Sequence, residues 1–211
     1  MHDLRSSSPG IVVVARDGTV LAVAGDTPPD WVGQHVPAAL GSDVQVLTVE
    51  AVPLHRAPAD LAQLFSGALE VMRGQASHQG VDLHLEVAGD LPLRAKVDGR
   101  LLAWVVTTLV GNALRFVRTG SRLKPGGTIT VRLDFDAAHS ELVITVQDDG
   151  PGIPADRLQH LFRREAKAMH LSGLALLLVH EVAVAHGGTV AATSCSAAAV
   201  HGTTMTVRVP V

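Results

Sequence analysis

Residues Asp148 to Pro154 read DDGPGIP and follow directly on the alternating run ELVITVQ, Glu141 to Gln147. The alternation marks a half-buried strand, and the glycines and prolines behind it end that strand abruptly. Two readings suit the stretch. One is a simple strand-ending turn. In the other, Asp148 is held rigidly at the tip of a core strand, and Gly150 and Gly152 withdraw side chains so that a flat ligand can lie against the backbone.

A buried carboxylate needs a hydrogen-bond donor to offset its desolvation, and an exocyclic amine such as N6 of adenine is one candidate. Asp149, its neighbour, is free to face solvent. Upstream, Thr108, Asn112 and Arg115 fall at i, i+4 and i+7 of the apolar stretch GRLLAWVVTTLVGNALRFV and so share one face of a predicted helix. An amide oxygen can ligate Mg2+, and a guanidinium can answer phosphate charge. A buried amide satisfied by backbone and a solvated surface arginine are the plain alternatives.

Around these motifs the chain reads as alternating helices and strands. ADLAQLFSGALEVMRGQASHQG carries Leu61, Leu64, Phe65, Ala68, Leu69 and Met72 at helical spacing, with Gly80 as its stop. VDLHLEV, TITVRLDFD and ELVITVQ alternate as strands, SGLALLLVHEVAVAHGG is a helix closed by Gly187 and Gly188, and TVAATSC and TTMTVRVPV finish as strands. The order helix, strand, helix, hairpin, helix, hairpin predicts an α/β two-layer sandwich with a mixed sheet packed on helices. Ahead of it, GIVVVARDGTVLAV predicts a hairpin around Arg16-Asp17-Gly18, DTPPDWVGQHVPAALGSD reads as loop, and VQVLTVEAV suggests another strand.

The bulk numbers agree with a globular chain of this kind. It has 211 residues, 47% of them hydrophobic, a formal net charge of −3 and a pI near 6.4. That charge, spread along the chain, gives no footprint for nucleic acid or an anionic membrane. Cys195 is the one cysteine, which excludes an internal disulfide and a multi-cysteine metal site and suits a reducing compartment. No apolar run approaches the roughly 20 residues that span a bilayer, and MHDLRSSSPG lacks the pattern of a signal peptide, so a cytoplasmic location is expected.

Four blocks in order make the chain resemble a known family, the ATP-binding catalytic domain of sensor histidine kinases. VVTTLVGNALRFV is similar to the family's N box, DDGPGIP to its G1 box, HLFRRE to its F box and SGLALLLVHEVAVAHGG to its G2 box with the helix that follows; HGTTMTVRVPV resembles its closing strand. The resemblance covers about residues 57 to 211. It implies the Bergerat type of α/β sandwich, in which ATP lies between helices and a lid, and it divides the chain into an N-terminal β-rich extension, residues 1–55, with a faint likeness to a PAS hairpin, and an ATP-binding domain, residues 56–211. No P-loop signature competes with it.

The resemblance also assigns roles. Asn112 would bind Mg2+, Asp148 would take adenine N6, Gly150 and Gly152 would shape the base pocket beside Ile153, and Phe162 would anchor the lid. Arg115 stands where the family commonly has a basic residue near the phosphates, and Thr108 replaces the Asn, Glu or His one turn before Asn112. Gly173 and Leu174 belong to the G2 box, where Leu171 and Ala175 stand in place of two of its three glycines. Those replacements crowd the backbone that approaches the triphosphate, and a threonine is no base at neutral pH, so fast hydrolysis is not expected. Lys167 or Arg164 could reach a phosphate.

The implied activity is transfer of the γ-phosphoryl of Mg-ATP to a histidine on a partner or separate dimerisation domain, with a response regulator downstream. His2-Asp3-Leu4-Arg5 has the letters of an acceptor motif, yet a strand pattern follows it in place of a long helix. Two alternatives stand beside the kinase: a protein-binding scaffold that has kept the fold without the grip on ATP, and a serine kinase of the anti-sigma type.

Overall fold

The computed structural model describes residues 10–15, 20–24, 44–49, 54–121, 124–159, 161–162, 171–197 and 200–211. Near the N-terminus the expected hairpin is present as β1 (Gly10–Ala15) and β2 (Val20–Ala24), antiparallel with Ile11 opposite Ala24, and β3 (Val44–Val49) runs parallel to β1 on its other side. The turn Arg16-Asp17-Gly18 and the acceptor-like His2 lie outside the described residues.

From residue 57 the elements are β4 (Ala57–Asp60), α1 (Leu61–His78), β5 (Asp82–Val87), β6 (Arg94–Val97), α2 (Gly99–Phe116), β7 (Thr128–Asp136), β8 (Glu141–Asp148), a short α3 (Ala155–Leu158), α4 (Leu171–Ala185), β9 (Thr189–Ala197) and β10 (Val200–Pro210). Five strands form one sheet in the order β5-β7-β8-β10-β9, parallel between β5 and β7 and antiparallel elsewhere. The parallel pair needs a crossover, and α2 with its flanking segments supplies it. The mixed sheet packed on helices is the sandwich expected from the order of elements.

Period explains which face is buried. Along β7, Ile129, Val131 and Leu133 are fully buried while Arg132 between them is exposed. Leu61, Phe65 and Leu69 on α1 and Leu102, Val105, Val106 and Leu109 on α2 recur every three or four residues and close over that face, joined by Val179, Val182 and Ala183 of α4. The opposite face carries ion pairs such as Arg132 with Glu86 at 3.3 Å.

Helices α1 and α2 each start on an aspartate. Asp60 caps α1 by accepting from Gln63 N at 3.0 Å, and Asp98 caps α2 by accepting from Leu101 N at 3.1 Å. Asp98 is almost fully buried and does more than cap: its second oxygen accepts from His55 N at 2.8 Å. Its own N–H reaches Nε2 of the buried His186 at 3.3 Å. His186 Nδ1 donates to Val182 O at 2.8 Å, and Arg56 donates to the His186 carbonyl at 2.8 Å. These contacts tie the start of α2, the end of α4 and the segment leading into β4. They give His186 a structural role. Asp98 answers to opposed effects: burial alone raises its pKa, but N–H donors from His55, Leu101 and Arg100 and the nearby His186 overcome it and hold the carboxyl below 3.8.

Three elements were not foreseen, the single-turn α3 and two strands. β4 and β6 form a separate antiparallel pair, with Ala57 opposite Val97 and Asp60 opposite Arg94. APAD and RAKV are too short and too polar for a period to show, and Pro58 argues against a strand except at an edge.

Candidate functional site

Asp148 is the last residue of β8 and sits between Ile129 of β7 and Thr203 of β10, so neighbours on both sides fix its backbone. Its side chain is half-buried, and Oδ1 accepts from Gly150 N at 2.9 Å. Burial pushes the carboxyl above its ordinary value of 3.8, opposed by hydrogen bonds from the Gly150 and Thr203 backbones and aided by the charge of Asp149. A carboxyl oxygen in this position can accept a hydrogen bond from a donor on a ligand. Asp149 is exposed as expected, and it also has structural work, accepting from Thr128 N at 2.9 Å.

The glycines beyond explain the motif's composition. Gly152 has φ +75°, and a Cβ there would collide with the carbonyl of Cys195 on β9. Left-handed backbone with no room for a side chain admits only glycine. Gly150 is buried against Asp148 and the end of α2: a Cβ on it would stand 3.4 Å from the Phe116 carbonyl. Ile153 packs on the core, and its N–H donates to Ser194 Oγ at 2.7 Å. Ser194 in turn donates to Gly202 O at 2.8 Å and lies 3.1 Å from Thr203 Oγ1.

The structure therefore brings Asp148, Gly150, Gly152 and Ile153 together on one loop next to the C-terminal end of α2. Phe116, the last residue of that helix, is 59% exposed. One turn back stands Asn112, half-buried on α2, whose Nδ2 is shielded from solvent and has no hydrogen-bond partner among the described residues. An unpaired amide in such a place costs about 1–3 kcal/mol unless a ligand answers it. Thr108 is half-buried one turn further toward the start of α2, and Arg115 is exposed in the last turn.

Phe162 packs against the core, its ring stacked on His180 of α4 with centroids 6.5 Å apart and planes at 28°. Leu171, Gly173, Leu174 and Ala175 all lie within the first five residues of α4, so the G2-like segment is helical from Leu171 onward. Arg164 and Lys167 lie outside the described residues. Sequence reasoning missed Ser194, His201 and Thr203, which hold the loop from β9 and β10; they are scattered polar residues in a hairpin, and no period or motif signals them.

The profile of the family described as histidine kinase-, DNA gyrase B-, and HSP90-like ATPase matches residues 97–211, more than half of the chain. The chain belongs to that ATPase family. Within it, the chain is 38% identical over 124 residues to the signal transduction histidine-protein kinase AfsQ2 of Streptomyces coelicolor, a match that takes in 56% of this chain and 21% of AfsQ2. Among solved structures, the mycobacterial sensor histidine kinase MprB superposes with a TM-score of 0.58 at 26% identity, covering 73% of this chain and 97% of that one. Full-length ShkA in complex with AMPPNP gives a TM-score of 0.64 at 24% identity, over 76% of this chain and 32% of ShkA. The chain thus spans about a fifth to under a third of the length of the first curated relatives it matches. In this ATPase family the matched region runs from the end of β6 through β10 and includes every residue of the Asp148 loop. Among the described residues no helix is long and apolar enough to cross a membrane.

Proposed function

We propose that residues 56–211 are the ATP-binding catalytic domain of a two-component sensor histidine kinase, with residues 1–55 a separate β-rich extension. The observation that carries the reading is Asp148: a carboxylate fixed at a strand tip, raised in pKa by burial and set beside bare glycine backbone. It accepts the N6 amine of adenine. Gly150, Gly152 and Ile153 shape the base pocket.

The unpaired amide of Asn112 fits a metal and phosphate site, since its oxygen can ligate a hard cation while its nitrogen donates to a phosphate oxygen. Mg2+ bound through Asn112 supplies charge neutralisation to the triphosphate. Arg115, in the last turn of the same helix, adds positive charge near the phosphates, and Gly173 and Leu174, in the first turn of α4, belong to the phosphate-binding segment. Phe162 anchors the lid against α4. Thr108 contributes no base, which suits transfer to a histidine nitrogen, already a nucleophile, better than attack by water. The acceptor is a histidine on a partner or separate dimerisation domain, and a response regulator receives the phosphoryl group in turn. The site works in the cytoplasm, where ATP is available.

The test is to incubate the chain and Asp148→Ala with labelled Mg-ATP and a histidine-bearing dimerisation domain from a relative. Acid-labile label on the partner, absent with the variant, supports the kinase. A second reading, a scaffold that retains the sandwich without turnover, is favoured by Leu171 and Ala175 in place of glycines. Nucleotide binding without transfer to any partner would support it, and acid-stable label would instead indicate a serine kinase of the anti-sigma type.

A further inference from the structure

Strand β10 pairs Thr203 with Asp148, which sets Gly202 and His201 beside the Asp148 loop. Gly202 adopts φ +144° and comes so close to the Asp148 carbonyl that a Cβ would collide with it. The residue before it, His201, thereby lays its imidazole along the loop: Nδ1 stands 2.8 Å from Gly150 O and 3.0 Å from Asp149 O. Carbonyl oxygens only accept, so Nδ1 carries the hydrogen and shares it between them. Gly150 is then held at both ends. Its C=O is bound by His201, and its N–H donates to Asp148 Oδ1 at 2.9 Å.

We infer that His201 is a positioning residue for recognition of purines that carry an exocyclic amine. By fixing the Asp149 and Gly150 carbonyls it sets the direction of the Gly150 N–H, and through that hydrogen bond the orientation of the Asp148 carboxylate. The inference rests on the nucleotide-site reading above and deepens it. His201 acts through the loop backbone, on the choice of base. A residue that merely stabilised the hairpin would affect all nucleotides alike.

ATP and inosine triphosphate, which lacks the amine, are titrated with Mg2+ into the wild type, His201→Ala, His201→Asn and His201→Asp. The alanine variant is expected to lose about 3- to 10-fold in ATP affinity, the range of one hydrogen bond, with inosine triphosphate unchanged. Asparagine restores ATP affinity, because its Nδ2 donates from nearly the position of the imidazole Nδ1. Aspartate falls below alanine, since it sets an acceptor against two carbonyls. Equal losses for both nucleotides in His201→Ala, or an undiminished preference for ATP, overturn the inference. A wild type that does not distinguish the two nucleotides overturns the underlying reading of Asp148 instead. A nitrogen-15 spectrum of the imidazole decides the geometry without nucleotide: an Nδ1–H tautomer is expected, and an Nε2–H tautomer removes the clamp.

Discussion

Asp148 stores a conflict between stability and binding. Its pKa is raised, so between 3.8 and its higher folded value the native chain holds a proton that the unfolded chain has released. Stability falls as pH rises through that window and stays lower above it. Asp148→Asn, which keeps an acceptor for the Gly150 N–H and removes the charge, should raise the thermal midpoint at neutral pH while weakening nucleotide binding. A midpoint that drops would mean the carboxylate is better solvated than its surroundings imply. Gly152→Ala should instead destabilise the fold, costing about 1–3 kcal/mol because left-handed backbone and a collision with the Cys195 carbonyl are both imposed; chemical denaturation measures it. The end of the strand was legible in the sequence, since glycines and prolines follow an alternating run, although a simple turn suited that stretch equally well. Ser194 and His201 were not, because the hydrogen bonds that define them join residues separated by 41 and 51 positions.

At the scale of elements, periodicity sufficed for the long helices and the alternating strands, where an apolar face must be buried and only one period buries it. It failed for β4 and β6, whose pairing of Ala57 with Val97 is decided by the fold around them. The contacts of Asp98 with His55, Leu101 and His186 belong to the same class. Asp98→Ala removes the cap of α2 and leaves the His55 N–H without its acceptor, and should cost about 1–2 kcal/mol. The sign of the pH effect is opposite to that of Asp148. The Asp98 pKa is lowered, so its stabilisation is fully present above 3.8 and is lost as pH falls toward the folded value. The acid-unfolding limb should therefore be shallower in Asp98→Ala than in the wild type, and equal limbs would contradict the assignment. For α4, Leu171→Gly with Ala175→Gly should tighten Mg-ATP binding if the missing glycines weaken the phosphate grip. An affinity for ATP in the wild type equal to that of relatives with all three glycines would show that these side chains do not intrude.

Across the whole molecule, one face of a five-stranded sheet is sealed by three helices, and the site lies where the tip of β8 meets the end of α2. Phe65 is fully buried at the centre of that seal, and Phe65→Ala should cost about 3–5 kcal/mol in denaturant unfolding. The sandwich was legible as a whole because the order of helices and strands admits few other layers. The geometry of the Asp148 loop is set by glycines and by Ser194 and His201 of β9 and β10, which bond to it, contacts that no local pattern encodes. The central claim is that Asp148 recognises the amine of adenine. Calorimetric titration of Mg-ATP into the wild type and Asp148→Ala tests it most directly: micromolar binding that disappears in the variant is the predicted result, whereas binding that survives the substitution, or no heat with the wild type, would contradict it.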